Sequence, residues 1–374
     1  MSAPRFSWQA IAALVCCALA AVLLPLVGET AASPYVATTV VVVFGMIVLA
    51  ILGSAVLVPV AAAITLFVGS HGAVWLLLSG IAGNEGTARA SLYLLVAACW
   101  LLAWRCVAVL SQISPSSRQT GLFLRLLIPT IFGAWILILW EIATRGAGIP
   151  FILLPPPSAI GVRIVNSIPI LAADVNQTIF KAVIFGYAVG CSAGFVTAIL
   201  ADRVPFLRKG LLPIGNMVSA LPIIGVAPIM VIWFGFDWQS KAAVVIIMTF
   251  FPMLVNTVAG LAASGHMERD LMRTYASNYW QTLFKLRLPA AAPFIFNALK
   301  INSTLAMIGA IVAEFFGTPV VGMGFRISTE VGRMNIDMVW AEIAVAALAG
   351  SVFYGVVALI ERAITFWHPS VRGG

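Results

Sequence analysis

Residues that commonly carry catalysis are sparse in this sequence, and their spacing favours no reaction centre. The three histidines, His71, His266 and His368, are far apart along the chain, so neither a metal centre nor an acid/base pair is indicated. The sequence holds no HExxH metal pair and no GxSxG nucleophile elbow. None of its lysines completes a GxxxxGK(S/T) phosphate loop, so we predict that the chain is not an enzyme and hydrolyses no ATP by itself.

The cysteines also favour a structural interpretation. All five lie within apolar runs, and no CxxC pair or Cys/His cluster occurs. This pattern predicts neither a disulfide framework nor a zinc site. We interpret the cysteines as small buried packing residues, and transport or scaffolding remain as the functions to consider. They are Cys16, Cys17, Cys99, Cys106 and Cys191.

The composition places the chain in a membrane. Of its 374 residues, 62% are hydrophobic and only 9% are charged, whereas a soluble globular protein is about a quarter charged. The chain therefore cannot cover a water-facing surface, and it is too rich in aliphatic residues to be disordered. Its 31 glycines and 20 prolines are typical of broken or closely packed membrane helices. The predicted fold class is an all-α polytopic membrane protein.

The net charge of +8 does not indicate nucleic-acid binding, because the 21 Lys and Arg residues are scattered singly between apolar runs. An excess of basic residues on the cytoplasmic side of the membrane explains the same balance. The segments predicted to lie inside hold ten Lys and Arg residues, and those predicted to lie outside hold six. Both termini are therefore predicted to be cytoplasmic.

About ten transmembrane helices are expected, because each needs about 20 mainly apolar residues. The segment Trp8 to Val27 is longer than a signal-peptide core, so we interpret it as a retained helix, although Ala31-Ala32-Ser33 looks like a cleavage region. The uncharged stretch from Ala31 to Asn84 predicts two passes, with a turn near Gly53-Ser54 or Pro59. The other predicted segments are Ser91 to Leu110, 122–144, 177–200, 211–235, 242–262, 293–313 and 340–361.

A polar linker from Ser111 to Thr120 divides these helices into two groups. It predicts a domain boundary, with accessory transmembrane helices in residues 1–120 and a six-helix core in residues 121–374. Within residues 121–374, the segment 263–292 interrupts the apolar pattern and is assigned to the cytoplasm.

The segment 263–292 is predicted to be a short helical hairpin. Leu271, Tyr275, Asn278 and Thr282 would share one helical face. Such exposed apolar and aromatic residues suit the groove of a partner protein. An interfacial helix anchored by Tyr279 and Trp280 explains them equally well. The pattern alone leaves both interpretations open.

This segment resembles the signature of permease subunits of bacterial ATP-binding-cassette (ABC) importers, EAA-x3-G-x9-I-x-LP. Asp270, Leu271 and Met272 stand at the EAA positions, and Ala276 stands at the glycine. The spacing matches throughout, whereas the identities match only at the closing Leu-Pro pair. The resemblance implies that the loop couples the chain to a partner ATPase. The residues expected to contact the ATPase are Asp270, Arg273, Tyr275, Ala276 and Ser277. Leu286, Leu288 and Pro289 on the same coupling loop are expected to anchor it against the next helix.

The resemblance extends over roughly residues 122–374 and is specific to the nitrate, sulfonate, taurine and thiamine-precursor branch. It implies a type I importer core of six helices, preceded here by about four extra helices. Glu314, within one matching motif, lies at a predicted helix end and is expected to be solvated. The matching motifs are Trp140-Glu141, Leu154-Pro155-Pro156-Pro157-Ser158, Leu221 to Pro228, Trp233-Phe234-Gly235, Val312 to Gly317 and Gly322-Met323-Gly324.

A solute pathway is expected to be lined by the rare polar groups within the apolar helices, because such groups are costly against lipid. The same groups serve equally as hydrogen bonds between helices. Pro222 and Pro228, six residues apart, are predicted to kink or break one helix, which would suit a gate. The pathway candidates are Asn216, Ser219, Pro222, Asn256, Thr257, Asn297, Asn302 and Ser303.

The resemblance also implies the partners. Separate cytoplasmic ABC ATPase subunits would bind ATP and Mg, a solute-binding protein would deliver the substrate, and a second permease copy would form a homodimer in the bacterial inner membrane. No cofactor in this chain and no nucleic-acid partner are expected. The tail Trp367-His368-Pro369-Ser370 and the extra N-terminal helices favour a heterocycle such as a thiamine precursor or riboflavin. The alternatives are a nitrate, sulfonate or taurine importer, an ion-coupled secondary carrier and an intramembrane enzyme.

Overall fold

The computed structural model describes residues 6–28, 37–115, 117–219, 222–317 and 320–367. Within these ranges the protein is helical, and its strand pairing is limited to an isolated bridge between Val27 and Ala88. The helices are α1 (Trp8–Val22), α2 (Ala37–Val56), α3 (Pro59–Ile81), α4 (Ala90–Leu110), α5 (Arg118–Gly146), α6 (Pro157–Asn166), α7 (Ile168–Arg203), α8 (Pro205–Ser219), α9 (Ile223–Phe234), α10 (Trp238–Ala262), α11 (His266–Thr274), α12 (Tyr279–Glu314), α13 (Met323–Gly332) and α14 (Ile336–Ile364).

The all-α polytopic fold class is confirmed. In the described ranges, eight helices are long and apolar enough to cross a membrane: α2, α3, α4, α5, α7, α10, α12 and α14. Two of the ten predicted segments, now α1 and α9, are apolar but have only 15 and 12 residues. At 1.5 Å per residue both are shorter than the roughly 30 Å hydrocarbon core.

Two predicted boundaries change for identifiable reasons. The first helix ends at Val22 rather than Val27, ahead of Pro25. The predicted segment 211–235 contains parts of two helices, α8 and α9, and Pro222 takes an extended backbone at the N-cap of α9. Pro228 lies inside α9. In the uncharged stretch, the predicted turn falls at Leu57 and Val58, directly before Pro59.

The chain forms two compact units, Met1–Ala159 and Ile160–Gly374. In the first unit, α1 packs small residues such as Ala10 and Ala13 against α4. Helix α5 joins the same core through Ile131 and Trp135, and the Trp135 indole Nε1 donates to His71 Nε2 at 3.1 Å. The predicted functional boundary at residue 120 stays a prediction.

The second unit is organised around α10, which packs against α7 on one side and α12 on the other. Three glycines of α7, spaced four apart, face α10: Gly186, Gly190 and Gly194. A Cβ atom added to Gly190 would lie 2.1 Å from Thr249 Oγ1 and 2.8 Å from the carbonyl oxygen of Ile246. The two helices therefore approach too closely for a larger residue, as in the small-xxx-small contacts of membrane helices.

Candidate functional site

Helix α11 forms the tip of the loop between α10 and α12, and none of its residues is buried. Its apolar side chains project at intervals of four residues. Met267 is 84% exposed, Leu271 56% and Tyr275, just beyond the helix, 77%. Residues four apart lie on one face of a helix, so these three side chains form an exposed apolar strip. Such a strip is the arrangement by which a short helix binds a groove in a partner.

The helix ends in a Schellman turn built on Ala276. The amide of Ser277 donates to the carbonyl of Met272 at 3.0 Å, and the amide of Ala276 donates to that of Arg273 at 2.8 Å. Ala276 has φ 54°, the left-handed conformation that normally selects glycine. The turn interrupts the helix, so the predicted single face through Leu271, Tyr275, Asn278 and Thr282 is wrong.

The other predicted coupling residues surround this turn. Asp270 and Arg273 form an exposed ion pair at 3.2 Å, one turn before it. After the turn, Asn278 and Gln281 form a reciprocal capping box that starts α12. The structure therefore brings Asp270, Arg273, Tyr275, Ala276 and Ser277 together at one exposed tip.

The return arm of the loop is anchored by a partly buried ion pair. Arg287 donates from both terminal nitrogens to the carboxylate of Asp202, at 2.6 and 2.7 Å, and from Nε to the carbonyl of Leu261. The Tyr279 hydroxyl donates to the same carboxylate at 3.0 Å, and the Arg203 guanidinium lies 4.7 Å from the Tyr279 ring centre. Arg287 lies in a π-helical stretch of α12, Leu283–Arg287. No local pattern in the sequence indicates this anchor, because Asp202 is 85 residues away from Arg287.

Apolar packing supports the same arm. Leu283 is fully buried with Leu261 and Ala291, and Leu288 packs against them. The predicted anchors Leu286, Leu288 and Pro289 are half-buried. The innermost residue of the arm is therefore Leu283.

The predicted pathway residues whose side chains are described lie in different environments. Asn302 is fully buried, and its amide donates to the carbonyl of Thr249 at 2.7 Å and to Cys191 Sγ at 3.2 Å. Asn302 thereby joins α12 to α10 and α7. This is the alternative role predicted for these polar groups, a hydrogen bond between helices. Asn256 and Ser303 hydrogen-bond within their own helices. Asn297 is exposed, Thr257 is buried, and the side chains of Asn216 and Ser219 lie outside the described residues.

A buried polar network joins the segment after α12 to α7. Glu314 accepts from the Thr178 hydroxyl and from the Gly324 amide, each at 2.7 Å. The Met323 amide donates to Thr178 Oγ1 at 2.9 Å. Glu314 is 1% exposed, so the expectation that it is solvated is wrong. Its two partners, Thr178 and Gly324, are 136 and 10 residues away in the sequence, so no local pattern shows the contact with Thr178.

Asp174 extends this network. Its carboxylate accepts from the Gly322 amide at 2.6 Å and from Arg326 Nε at 2.8 Å. The hydrogen bond to Asp174 raises the pKa of the Arg326 guanidinium. Arg326 therefore stays charged, and the pair holds α13 against α7.

Two glycines make the approach possible. Gly322 has φ 141°, and a Cβ atom there would lie 2.8 Å from the Glu314 carboxyl carbon. A Cβ atom on Gly324 would lie 2.0 Å from the carbonyl oxygen of Ile311. Both positions therefore require glycine.

The motif residues near the end of α5 also meet. Glu141 accepts from the Ser158 amide at 2.9 Å and from its hydroxyl at 2.6 Å. Arg145 donates to the same hydroxyl at 2.7 Å. A carboxylate at this position stabilises the exposed amides at the start of α6.

Residues 190–366 match the family of binding-protein-dependent transport system inner membrane components. The matched residues contain α11, its turn, the Arg287 anchor and the Glu314 to Gly324 segment. Together with the relatives described next, this match supports an ABC importer permease.

Several permeases are similar to it over about two thirds of its length. The formylaminopyrimidine transport permease protein of Halalkalibacterium halodurans is 29% identical over 244 residues, which cover 64% of this chain and 95% of the relative. The riboflavin transport system permease protein of Chloroflexus aurantiacus is 26% identical, covering 63% and 88%. A Bacillus subtilis protein named a putative aliphatic sulfonates transport permease protein is 27% identical. The match covers 69% of this chain and 92% of the relative.

The permease is expected to depend on the Asp202 anchor for its stability. Asp202→Ala would leave the Arg287 guanidinium without its counter-charge in a site where the two side chains are 15% and 6% exposed. We expect a loss of about 3 kcal/mol, seen as a clear fall in the thermal denaturation midpoint of the purified permease. Asp270→Ala is the matched control, because its pair with Arg273 is 69% and 82% exposed and contributes less than about 1 kcal/mol. Equal midpoints for the two variants would contradict the anchor.

Proposed function

We propose that the permease imports a small heterocyclic solute, and that a partner ATPase drives it by binding the exposed strip of α11. The strip carries this proposal. Met267, Leu271 and Tyr275 lie on the family's coupling loop and would be desolvated in a groove. The Asp202–Arg287 anchor joins the return arm rigidly to α7. A movement of the ATPase would therefore reach the membrane helices through α12.

We further propose that two copies form the pathway. Within the second unit, a cavity of about 140 Å³ lies between α9, α10 and α12, lined by apolar side chains such as Ile223, Met248 and Leu305. Pockets that enclose a small-molecule ligand are usually about 300–1,000 Å³. This cavity alone is smaller than that, and a second copy facing it would complete the space. The two ATPase subunits would then bind ATP and Mg below the pair.

The charges of the second unit favour a heterocycle over an oxyanion. Four of its buried or half-buried cations already have partners: Lys241 donates to the carbonyls of Phe236 and Gly317, Lys300 pairs with Glu361, Arg326 with Asp174 and Arg287 with Asp202. Sulfonate, nitrate or taurine would find no free cation among these four. Names of the relatives include both classes, since formylaminopyrimidine and riboflavin are heterocycles and aliphatic sulfonates are anions.

The orientation follows from the basic residues. We propose a bacterial inner-membrane protein with both termini in the cytoplasm, which places α11 on the ATPase side. The solute-binding protein would bind the opposite face. Reporter fusions at residues 1 and 374 test this, and reporters on opposite sides of the membrane would contradict it.

The substrate is tested on the solute-binding protein that the permease captures. Thermal-shift measurements with formylaminopyrimidine, riboflavin, taurine, an alkanesulfonate and nitrate compare the two classes directly. We expect a heterocycle to raise the melting temperature of the binding protein and the anions to leave it unchanged. Stabilisation by taurine, a sulfonate or nitrate alone would overturn the heterocycle proposal. Co-purification of the permease with an ATPase subunit tests the coupling proposal separately.

A further inference from the structure

Four carboxyl groups are buried in the second unit on α7, α12, α13 and α14. The exposed fractions of Asp174, Glu314, Glu330 and Glu342 are 0, 1, 5 and 0%. Buried carboxylates are stable only when hydrogen bonds or opposite charges replace the lost water. The donors that reach each one therefore indicate which groups are ionised.

Three of the four have such donors. Asp174 accepts from the Gly322 amide and from Arg326, and Glu314 from the Thr178 hydroxyl and the Gly324 amide. Glu330 accepts from Arg333 at 3.2 Å and from the Asn335 amide at 2.7 Å. Each of these carboxylates has at least two donors and can hold a negative charge.

Glu342 differs from all three. Among the described residues no donor reaches either of its carboxyl oxygens. It lies on α14, which packs against α7, α12 and α13. The charged groups that act on it electrostatically from those helices are Asp174, Glu314 and Arg326. Two of the three are negative, and Arg326 is already bonded to Asp174.

An ionised Glu342 would be unstable at this position. Two ionised carboxylates cannot hydrogen-bond to each other, because neither carries a hydrogen. At close range in a buried site they also repel, so both cannot be ionised together. One proton resolves both difficulties, because a protonated carboxyl donates to its neighbour. Asp174 must keep its charge for Arg326 and Gly322, which leaves Glu342 as the protonated partner.

We propose that Glu342 holds a proton at neutral pH and donates it to Asp174, so that the permease contains a buried proton-binding site. With this proton bound, Glu342 and Asp174 together carry one negative charge, which lies beside Arg326. Asp174 then remains free to hold the Gly322 amide, and Glu314 to hold the Gly324 amide. Loss of the proton would add a negative charge next to both carboxylates and weaken the attachment of the 322–324 segment to α7. This proposal does not depend on the identity of the solute.

The test uses the full-length permease purified in detergent. Infrared spectroscopy of the wild type at neutral pH should show the carbonyl band of a protonated carboxylic acid in a buried environment. The band should be missing in Glu342→Gln and retained in Glu330→Gln, the control at a buried carboxylate with two donors. Absence of the band in the wild type, or its retention in Glu342→Gln, would overturn the proposal.

Thermal stability gives an independent measurement. A native state that binds a proton which the unfolded chain releases loses stability as the pH rises. The wild type should therefore lose part of its stability between neutral and alkaline pH, and Glu342→Gln should lose less. Glutamine has the shape of the protonated acid and can donate to Asp174, so its stability at neutral pH should match the wild type. A Glu342→Gln protein that fails to fold at neutral pH would also contradict the proposal.

Discussion

We expect the Ala276→Asp permease to lose uptake while its membrane helices stay folded. Ala276 is exposed in the chain alone and adjoins the apolar strip of α11. Aspartate is one of the residues that tolerate the left-handed backbone, so the turn at φ 54° should persist. Its carboxylate would have to be desolvated in the ATPase groove, at a cost of several kcal/mol. That cost exceeds the 1–3 kcal/mol typical of coupling between sites, so uptake should fall roughly 100-fold or more.

Two further variants make the uptake assay specific. Thr282→Asp adds the same charge at a position beyond the turn, where the hydroxyl bonds only within its own helix, and should retain uptake. Ala276→Gly restores the residue that the left-handed backbone prefers and should add about 1 kcal/mol of stability. Normal uptake and normal ATPase co-purification by Ala276→Asp would favour an interfacial anchor through Tyr279 and Trp280 instead.

The second large effect is expected in the glycine face of α7. Gly190→Leu would place a branched side chain where even a Cβ atom lies 2.1 Å from Thr249 Oγ1. The neighbouring atom at 2.8 Å is the backbone carbonyl of Ile246, which cannot rotate away. Inserting bulk into a packed core commonly costs about 1–3 kcal/mol, and a contact this close should exceed that range. The variant should elute as aggregate in gel filtration or be recovered at very low yield.

Gly355→Leu is the matched control. Gly355 also lies in a membrane-spanning helix, α14, and an added Cβ atom there would meet nothing within 4 Å. This variant should be recovered as a monodisperse protein with a near-normal melting temperature. Equal behaviour of the two variants would show that α7 and α10 do not pack closely at Gly190.

The membrane class and most spans were predictable because the bilayer imposes a length and a composition on every crossing helix. Helix α3 begins at Pro59, as one of the two predicted turn positions indicated. The segment 211–235 was predicted as one pass with a break at Pro222 or Pro228, and the break falls at Pro222. The four-residue spacing of Gly186, Gly190 and Gly194 also indicates close helix packing from the sequence alone.

The exposed tip around Ala276 was predictable in position but not in conformation. Its spacing located Ala276 at a glycine position, and only the backbone showed that the residue is left-handed. A continuous helical face was expected because the period of the apolar residues does not reveal a Schellman turn. That turn is formed by main-chain bonds, which every residue type except proline can donate.

The sequence by itself determined that this chain crosses a membrane many times, resembles an ABC importer permease and lacks a phosphate loop of its own. Those conclusions rest on composition and on local spacing, which need no partner from elsewhere in the chain. Only the tertiary structure decided which polar groups are buried together. Asp202 meets Arg287, Asp174 meets Arg326, and Thr178 meets Glu314. The members of each pair are between 85 and 152 residues apart, so only the packing of the helices brings them into contact.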